Sequence, residues 1–176
     1  MGRGSHQAVG PVVVMGVSGS GKSLIGTMLA ERLGVPFIEG DRLHPEANVA
    51  KMASGIPLSD EDRWPWLDRV GDELAASTAQ RGGAVAACSA LRKSYRDRLR
   101  GLAGPGLRFV LLSGSRDLLL ARMTRRRHHF MPASLLDSQL ATLELPKEEE
   151  GILAIDVAAS PGSIVQEACN WLTGSA

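Results

Sequence analysis

The residues best suited to chemistry form one glycine-rich run, Gly16-Val17-Ser18-Gly19-Ser20-Gly21-Lys22-Ser23. Its spacing is G-x-x-x-x-G-K-[ST]. Glycines so placed let the backbone wrap closely around an anion with its N–H groups turned inward. A helix beginning near Lys22 adds its positive N-terminal end. Lys22 can then reach the β- and γ-phosphates of a nucleoside triphosphate, and the Ser23 hydroxyl can ligate Mg²⁺. Gly16, Ser18, Gly19, Ser20, Gly21, Lys22 and Ser23 are therefore the expected nucleotide-binding residues. The plainer alternative, a glycine turn that binds nothing, fits the context less well: Val12–Val14 is an apolar β-branched run just before the loop, and a helical pattern follows it.

The next apolar run, Val35–Ile38, leads into Glu39-Gly40-Asp41. If the first two strands lie side by side, Asp41 faces the γ-phosphate. A carboxylate there can accept or orient the proton of an attacking hydroxyl. Glu39 would hold a water on Mg²⁺. The alternative for Asp41 is a solvated turn residue or helix cap. The loop alone specifies a nucleotide and not a reaction. GTP switches also need Asn-Lys-x-Asp, and the chain has no Asn-Lys pair; Asp68-Arg69-Val70-Gly71 fits Asp-x-x-Gly but falls inside an amphipathic helical pattern, so it is read as chance. Large ATPases place an acid at the end of a later strand, whereas Ala84–Cys88 runs into Cys88-Ser89. The smallness of the chain and this missing acid both favour a small-molecule kinase. Cys88 reads as a small core residue rather than a nucleophile.

These groups need a scaffold. Val12–Val14, Val35–Ile38, Ala84–Cys88, Leu107–Leu112 and Ile152–Val157 read as short strands. Between them lie helical patterns. Ile25, Met28, Leu29 and Leu33 share the face of one that stops at Gly34-Val35-Pro36. Trp64, Leu67, Val70 and Leu74 share the face of another. Ser59 and Asp62 form a capping box for it, but Pro65 argues for a later start. Trp64 and Trp66 diverge on a helix, so one is expected in the core and the other on a pocket wall. Further helices are predicted over Arg92–Leu102, Asp117–Arg127, Ala133–Leu145 and Ser163–Leu172, with a polar connection over Glu39–Ser59. Non-alternating strands separated by helices predict a three-layer α/β domain, a five-stranded parallel sheet covered on both faces, with ligands beyond the carboxyl ends of the strands.

With 176 residues, one domain over residues 11–174 is expected, after a small polar leader at Met1–Gly10. A net charge of +1 argues against a nucleic-acid binder driven by bulk electrostatics. No apolar run is long enough to span a membrane, and no secretory signal pattern is present. Two cysteines, Cys88 and Cys169, make no disulfide framework, and a reducing cytoplasm is the simplest compartment.

The phosphate loop, Gly40-Asp41-Arg42-Leu43-His44-Pro45, Lys51-Met52-Ala53-Ser54-Gly55-Ile56-Pro57-Leu58-Ser59-Asp60-Glu61-Asp62-Arg63, Pro65-Trp66-Leu67 and Cys88-Ser89-Ala90-Leu91 with Tyr95-Arg96 together resemble the gluconate kinase family. The resemblance runs from about Val13 to Leu172. It implies a reaction of ATP and Mg²⁺ with D-gluconate, with Asp41 as the acceptor-side carboxylate and a homodimer as a common assembly. His44, Lys51 and Arg63 resemble positions lining the sugar-acid pocket, and Arg96 is added as a residue facing the acid. Cations suit the carboxylate of such a substrate, and mixed donors and acceptors suit its hydroxyls. Each has a plainer alternative: a turn residue for His44, a solvated helix cation for Lys51, a surface pair with Asp60 or Asp62 for Arg63. A lid is expected over about 126–134, with Arg126 reaching the phosphates and Arg122 packing on adenine. The family often has a glycine where this chain has His128. By topology Ser160-Pro161 helps enclose the adenine. Two rival readings stay open, a kinase of another small acceptor such as shikimate or a nucleoside monophosphate, and a non-catalytic nucleotide-binding module.

Overall fold

Val12, Val13, Val14 and Met15 are all fully buried. A strand covered on both faces has no reason to alternate, so the apolar runs of the sequence become strands of a parallel sheet. In the computed structural model, which describes residues 8–125 and 133–175, they are β1 (Gly10–Met15), β2 (Phe37–Glu39), β3 (Gly83–Ala87), β4 (Arg108–Ser113) and β5 (Ile152–Asp156). The helices are α1 (Lys22–Leu33), α2 (Glu46–Ala53), α3 (Asp60–Arg81), α4 (Lys93–Ala103), α5 (Arg116–Thr124), α6 (Ala133–Thr142) and α7 (Pro161–Thr173), with a 3₁₀ turn at Gly40–Leu43. The first strand starts at Gly10, one residue inside the expected leader, because Gly10 N–H donates to Gly82 O at 3.0 Å.

The five strands run in the order β2-β3-β1-β4-β5. The expectation that β1 and β2 are neighbours is therefore wrong. β3 lies between them, pairing with β1 from Gly10↔Gly83 to Val14↔Ala87 and with β2 from Phe37↔Val85 to Glu39↔Ala87. α1 and α3 both pack across β1, β2 and β3 yet do not touch each other closely, which places them on opposite faces. α7 joins α1 on one side, and α4 joins α3 on the other.

Two local departures have simple causes. α3 begins at Asp60 and carries Pro65 in its second turn, rather than starting after it. Ser59 Oγ accepts from Asp62 N–H at 3.1 Å, and the Asp62 carboxylate accepts from Ser59 N–H at 2.9 Å. That capping box and three acids in the first turn hold the start. Glu61 and Pro65 are exposed, so water can serve the carbonyl that the proline ring leaves without its N–H partner. The connection read as irregular contains α2, a short helix of which only Asn48 is buried. The Asp-x-x-Gly match does fall within α3: Asp68 pairs with Arg98, and a Cβ at Gly71 would come within 2.7 Å of the Leu102 side chain, so this glycine serves the α3–α4 contact.

Candidate active site

β1 delivers the chain into the glycine loop at the centre of the sheet. Gly16 adopts φ 148°, and a Cβ there would meet Leu112 O at 2.8 Å, so only glycine fits against the end of β4. Ser20 is 1% exposed and its hydroxyl donates to Val17 O at 2.7 Å, drawing the loop tight. Lys22 Nζ donates to Val17 O at 3.0 Å, curling over the cradle it is expected to serve. α1 opens at Lys22, so its N-terminal N–H groups and positive dipole end face the loop.

Ser23 is the second residue of α1, and its hydroxyl donates to Glu39 Oε2 at 2.5 Å. A hydroxyl and a carboxylate held together are hard oxygen donors of the kind Mg²⁺ takes. Among the described residues no group of three or more His, Cys, Asp or Glu could hold a metal. Mg²⁺ takes waters and substrate phosphates beside one or two protein oxygens, and the Ser23–Glu39 pair fits that need.

The acceptor side is built on the end of β2. Gly40 is pressed against β3, where a Cβ would lie 2.1 Å from Ala87 O. Trp66 Nε1–H donates to Gly40 O at 2.8 Å, and Arg69 Nη1 donates to Leu43 O at 3.2 Å. The turn bearing Asp41 is thus anchored at both ends on α3, with Asp41 itself exposed. His44 stacks on Trp66 with ring centroids 4.0 Å apart and an interplanar angle of 17°. Burial, opposed by the charge of Asp41 and aided by that of Arg63, pulls the His44 pKa down to about 4. Arg63 Nη1 donates to Tyr95 Oη at 2.8 Å, and Tyr95 in turn donates to Asp60. Arg63 is therefore held by a phenol rather than by the surface pair that was its alternative.

Lys22, Asp41, His44 and Arg63 line a single cleft with Ser18 and Gln139. The two halves meet although β3 separates their strands, because both emerge at the carboxyl end of the sheet. Trp66 is core and cleft wall at once, at 2% exposure. Trp64 lies in the α3–α4 packing, edge-on to Tyr95 and beneath the Arg98 guanidinium. The expected division between the two indoles thus falls on one of them.

Two expected acceptor residues are placed elsewhere. Arg96 is fully buried. Its Nε and Nη2 donate to the Glu149 carboxylate at 2.9 and 2.6 Å, its Nη1 to Ala90 O and Leu91 O, and its Nη2 also to Glu144 O. Five N–H groups meet five acceptors, so none is left for a substrate. Lys51 pairs with Asp62 at 2.8 Å and does not line the cleft. Hydrogen bonds from Lys51 and Ser59 hold the Asp62 carboxyl at a pKa of about 2.

Arg122 Nη2 donates to Val157 O at 2.7 Å, beside the turn that leads to Ser160 and Pro161 at the start of α7. Arg126, His128 and nearly all of the expected lid lie outside the described residues, and its last two residues open α6. Cys88 is fully buried, and that burial pushes its thiol up to about 12, as a core residue requires.

Sequence reasoning missed Gln139 and Asn48. Gln139 Oε1 accepts from Ser18 N–H at 2.8 Å and from Ser18 Oγ at 3.1 Å, tying α6 to the phosphate loop. Asn48 is 3% exposed and bridges His44 and α3. Nothing in the polar connection marked Asn48, because its burial is set by packing against α3.

A five-stranded parallel sheet in this order, with a phosphate cradle after the central strand and an acidic turn after the edge strand, defines a P-loop kinase. Residues 12–146 match a family described as an AAA domain. The chain is 50% identical over 156 residues to a gluconokinase of Gluconobacter oxydans (89% of this chain, 87% of that one). It is 46% identical to a thermosensitive gluconokinase of Escherichia coli (88% and 83%). A crystal structure of a gluconokinase from Sinorhizobium meliloti superposes with a TM-score of 0.86 at 53% identity, covering 96% and 94% of the two chains. Shikimate kinase structures share the fold at 15–16% identity. The chain belongs to the gluconokinase family.

Proposed function

We propose that this chain transfers the γ-phosphoryl of ATP to a hydroxyl of D-gluconate, forming 6-phospho-D-gluconate and ADP. The observation that carries the reading is the single cleft shared by Lys22 and Asp41, with Arg63 and His44 on its acceptor wall. The loop from Gly16 to Ser23 binds the triphosphate through backbone N–H groups. Lys22 neutralises charge on the β- and γ-phosphates. Asp41 accepts the proton of the attacking hydroxyl while the new P–O bond forms and the bond to the ADP oxygen breaks. Arg63 supplies a cation for the sugar-acid carboxylate. Mg²⁺, when bound, supplies charge neutralisation on the phosphates, and Ser23 with Glu39 would hold it. Arg126 keeps the role the resemblance gives it, on the transferring phosphoryl, and Arg122 and Pro161 keep theirs beside the adenine. Catalysis of this kind is positioning and electrostatics, with no covalent enzyme intermediate.

A panel of acceptors with coupled detection of ADP tests the reading. Gluconate is expected to turn over, and shikimate and nucleoside monophosphates are not. Turnover of either in place of gluconate overturns the substrate, and ATP binding without ADP release from any acceptor overturns the kinase.

A further inference from the structure

Asn48 faces inward from α2, and its Nδ2 lies 2.9 Å from the backbone carbonyl oxygen of Asp62 and 3.2 Å from Nδ1 of His44. A backbone carbonyl can only accept. The Asn48 atom opposite it must therefore be the amide nitrogen, since the flipped amide would set oxygen against oxygen. With the amide so fixed, its other N–H points at His44 Nδ1, which must accept. An imidazole that accepts at Nδ1 and is neutral carries its proton on Nε2. Stacking on Trp66 fixes the plane of the ring, and turning it over within that plane would set a carbon against the Asn48 amide N–H. Among the described residues Nε2 has no hydrogen-bond partner, and the ring lines the cleft that holds Asp41 and Arg63.

We infer that Asn48 is a positioning residue that locks His44 as the neutral Nε2–H tautomer, so that His44 meets the acceptor as a hydrogen-bond donor and not as a base or a cation. This rests on the reading of the cleft as the acceptor site. The charges facing the ring are Asp41 on the 3₁₀ turn, Arg63 on α3 and, across the cleft, Lys22 on α1. Burial outweighs the attraction of Asp41 and keeps the ring uncharged well below neutrality. The work is then divided by chemistry: Arg63 offers a charge to a carboxylate, His44 offers one N–H to an oxygen lone pair, and Asp41 alone takes a proton. An acceptor analogue with a protonated amine in place of the hydroxyl facing His44 has no lone pair to offer and is excluded.

The tautomer can be read directly on the full chain labelled with nitrogen-15 histidine, with the His44 resonances assigned by comparison with His44→Gln. In the wild-type protein at about pH 7, Nδ1 is expected at an unprotonated shift and Nε2 at a protonated one, with no change on acidification to about pH 5.5. A protonated Nδ1, or an imidazolium at neutral pH, overturns the inference. Asn48→Asp replaces the donor with an acceptor, which calls a proton onto Nδ1 and raises the His44 titration point. That variant is expected to raise KM for the acceptor about tenfold while KM for ATP stays within about twofold. An unchanged acceptor KM in a folded Asn48→Asp protein also overturns it. If that variant does not fold, Asn48→Ala is read the same way, with mixed His44 tautomers expected. The tautomer is measured without substrate, so it decides the inference separately from the acceptor panel, which decides the reading of the cleft.

Discussion

The guanidinium of Arg96 holds a strained piece of backbone in place. Ala90, the only non-glycine residue with positive φ among those described, adopts φ 45°, and its carbonyl oxygen accepts from Arg96. The neighbouring residues Ser89 and Leu91 line the cleft. Arg96 thus acts on the site from beneath, with Glu149 as its counter-ion. Arg96→Met leaves Glu149 buried against Arg100 alone and the Ala90 and Glu144 carbonyls without a donor, while Leu91 O keeps the Glu144 N–H. The expected cost is about 3–5 kcal/mol, a fall in Tm on the order of 10 °C by calorimetry. A large rise in acceptor KM at unchanged Tm would return Arg96 to the substrate. Asp41→Asn is expected to keep ATP affinity and lose about 10²–10⁴-fold in kcat, measured by coupled ADP release. What motif chemistry foretold at this scale was location: residues of the loop, Asp41 and Arg63 fall on one cleft. Arg96 misled because an arginine in a recognisable block says nothing about which way it points. Here a glutamate more than fifty residues later claims it.

At the level of elements, the link between α6 and the phosphate loop makes a prediction about the nucleotide. Gln139 takes the Ser18 N–H, a donor that the triphosphate is expected to use. Gln139→Ala removes that competition, and calorimetric titration should show ATP bound about two- to tenfold tighter, the worth of one neutral hydrogen bond. Weaker binding would show instead that Gln139 supports the loop. Gly40 tests the acceptor turn. A methyl group there collides with β3 and must push Asp41 outward, so Gly40→Ala is expected to lower kcat/KM for the acceptor about 10²-fold with little change in ATP affinity. The long apolar runs and the capping box at Ser59 were readable because each is decided by neighbours in sequence. The helix at Glu46–Ala53 was not, because it buries almost nothing of its own and is held through Asn48 by α3.

For the whole molecule, the buried imidazole makes stability depend on pH. The folded state holds the His44 pKa at about 4, below the ordinary histidine value of 6.5. The unfolded chain therefore takes the proton first as pH falls. The contribution is complete above about pH 6.5 and is lost progressively toward pH 4, amounting to at most about 3 kcal/mol. His44→Phe keeps a ring against Trp66 and removes the titration, so urea midpoints between about pH 7 and pH 4.5 should flatten relative to wild type. Equal slopes would show that the ring titrates normally. Asp62, held at about 2, loses its contribution only at lower pH, so the two effects separate. The three-layer class was legible here because buried parallel strands leave continuous apolar runs. The strand order was not, because it depends on which strand each crossover lands beside, and nothing within Val35–Ile38 encodes that choice.

β2, which carries Asp41, is an outermost strand bonded to one neighbour over three residues, while the phosphate cradle grows from the middle of the sheet. A border strand can lengthen, tilt or change its turn without any other strand having to re-pair. The segment that selects the hydroxyl is therefore free to diverge while the segment that grips the triphosphate stays fixed, and a scaffold so arranged can acquire a new substrate by rewriting its margin alone.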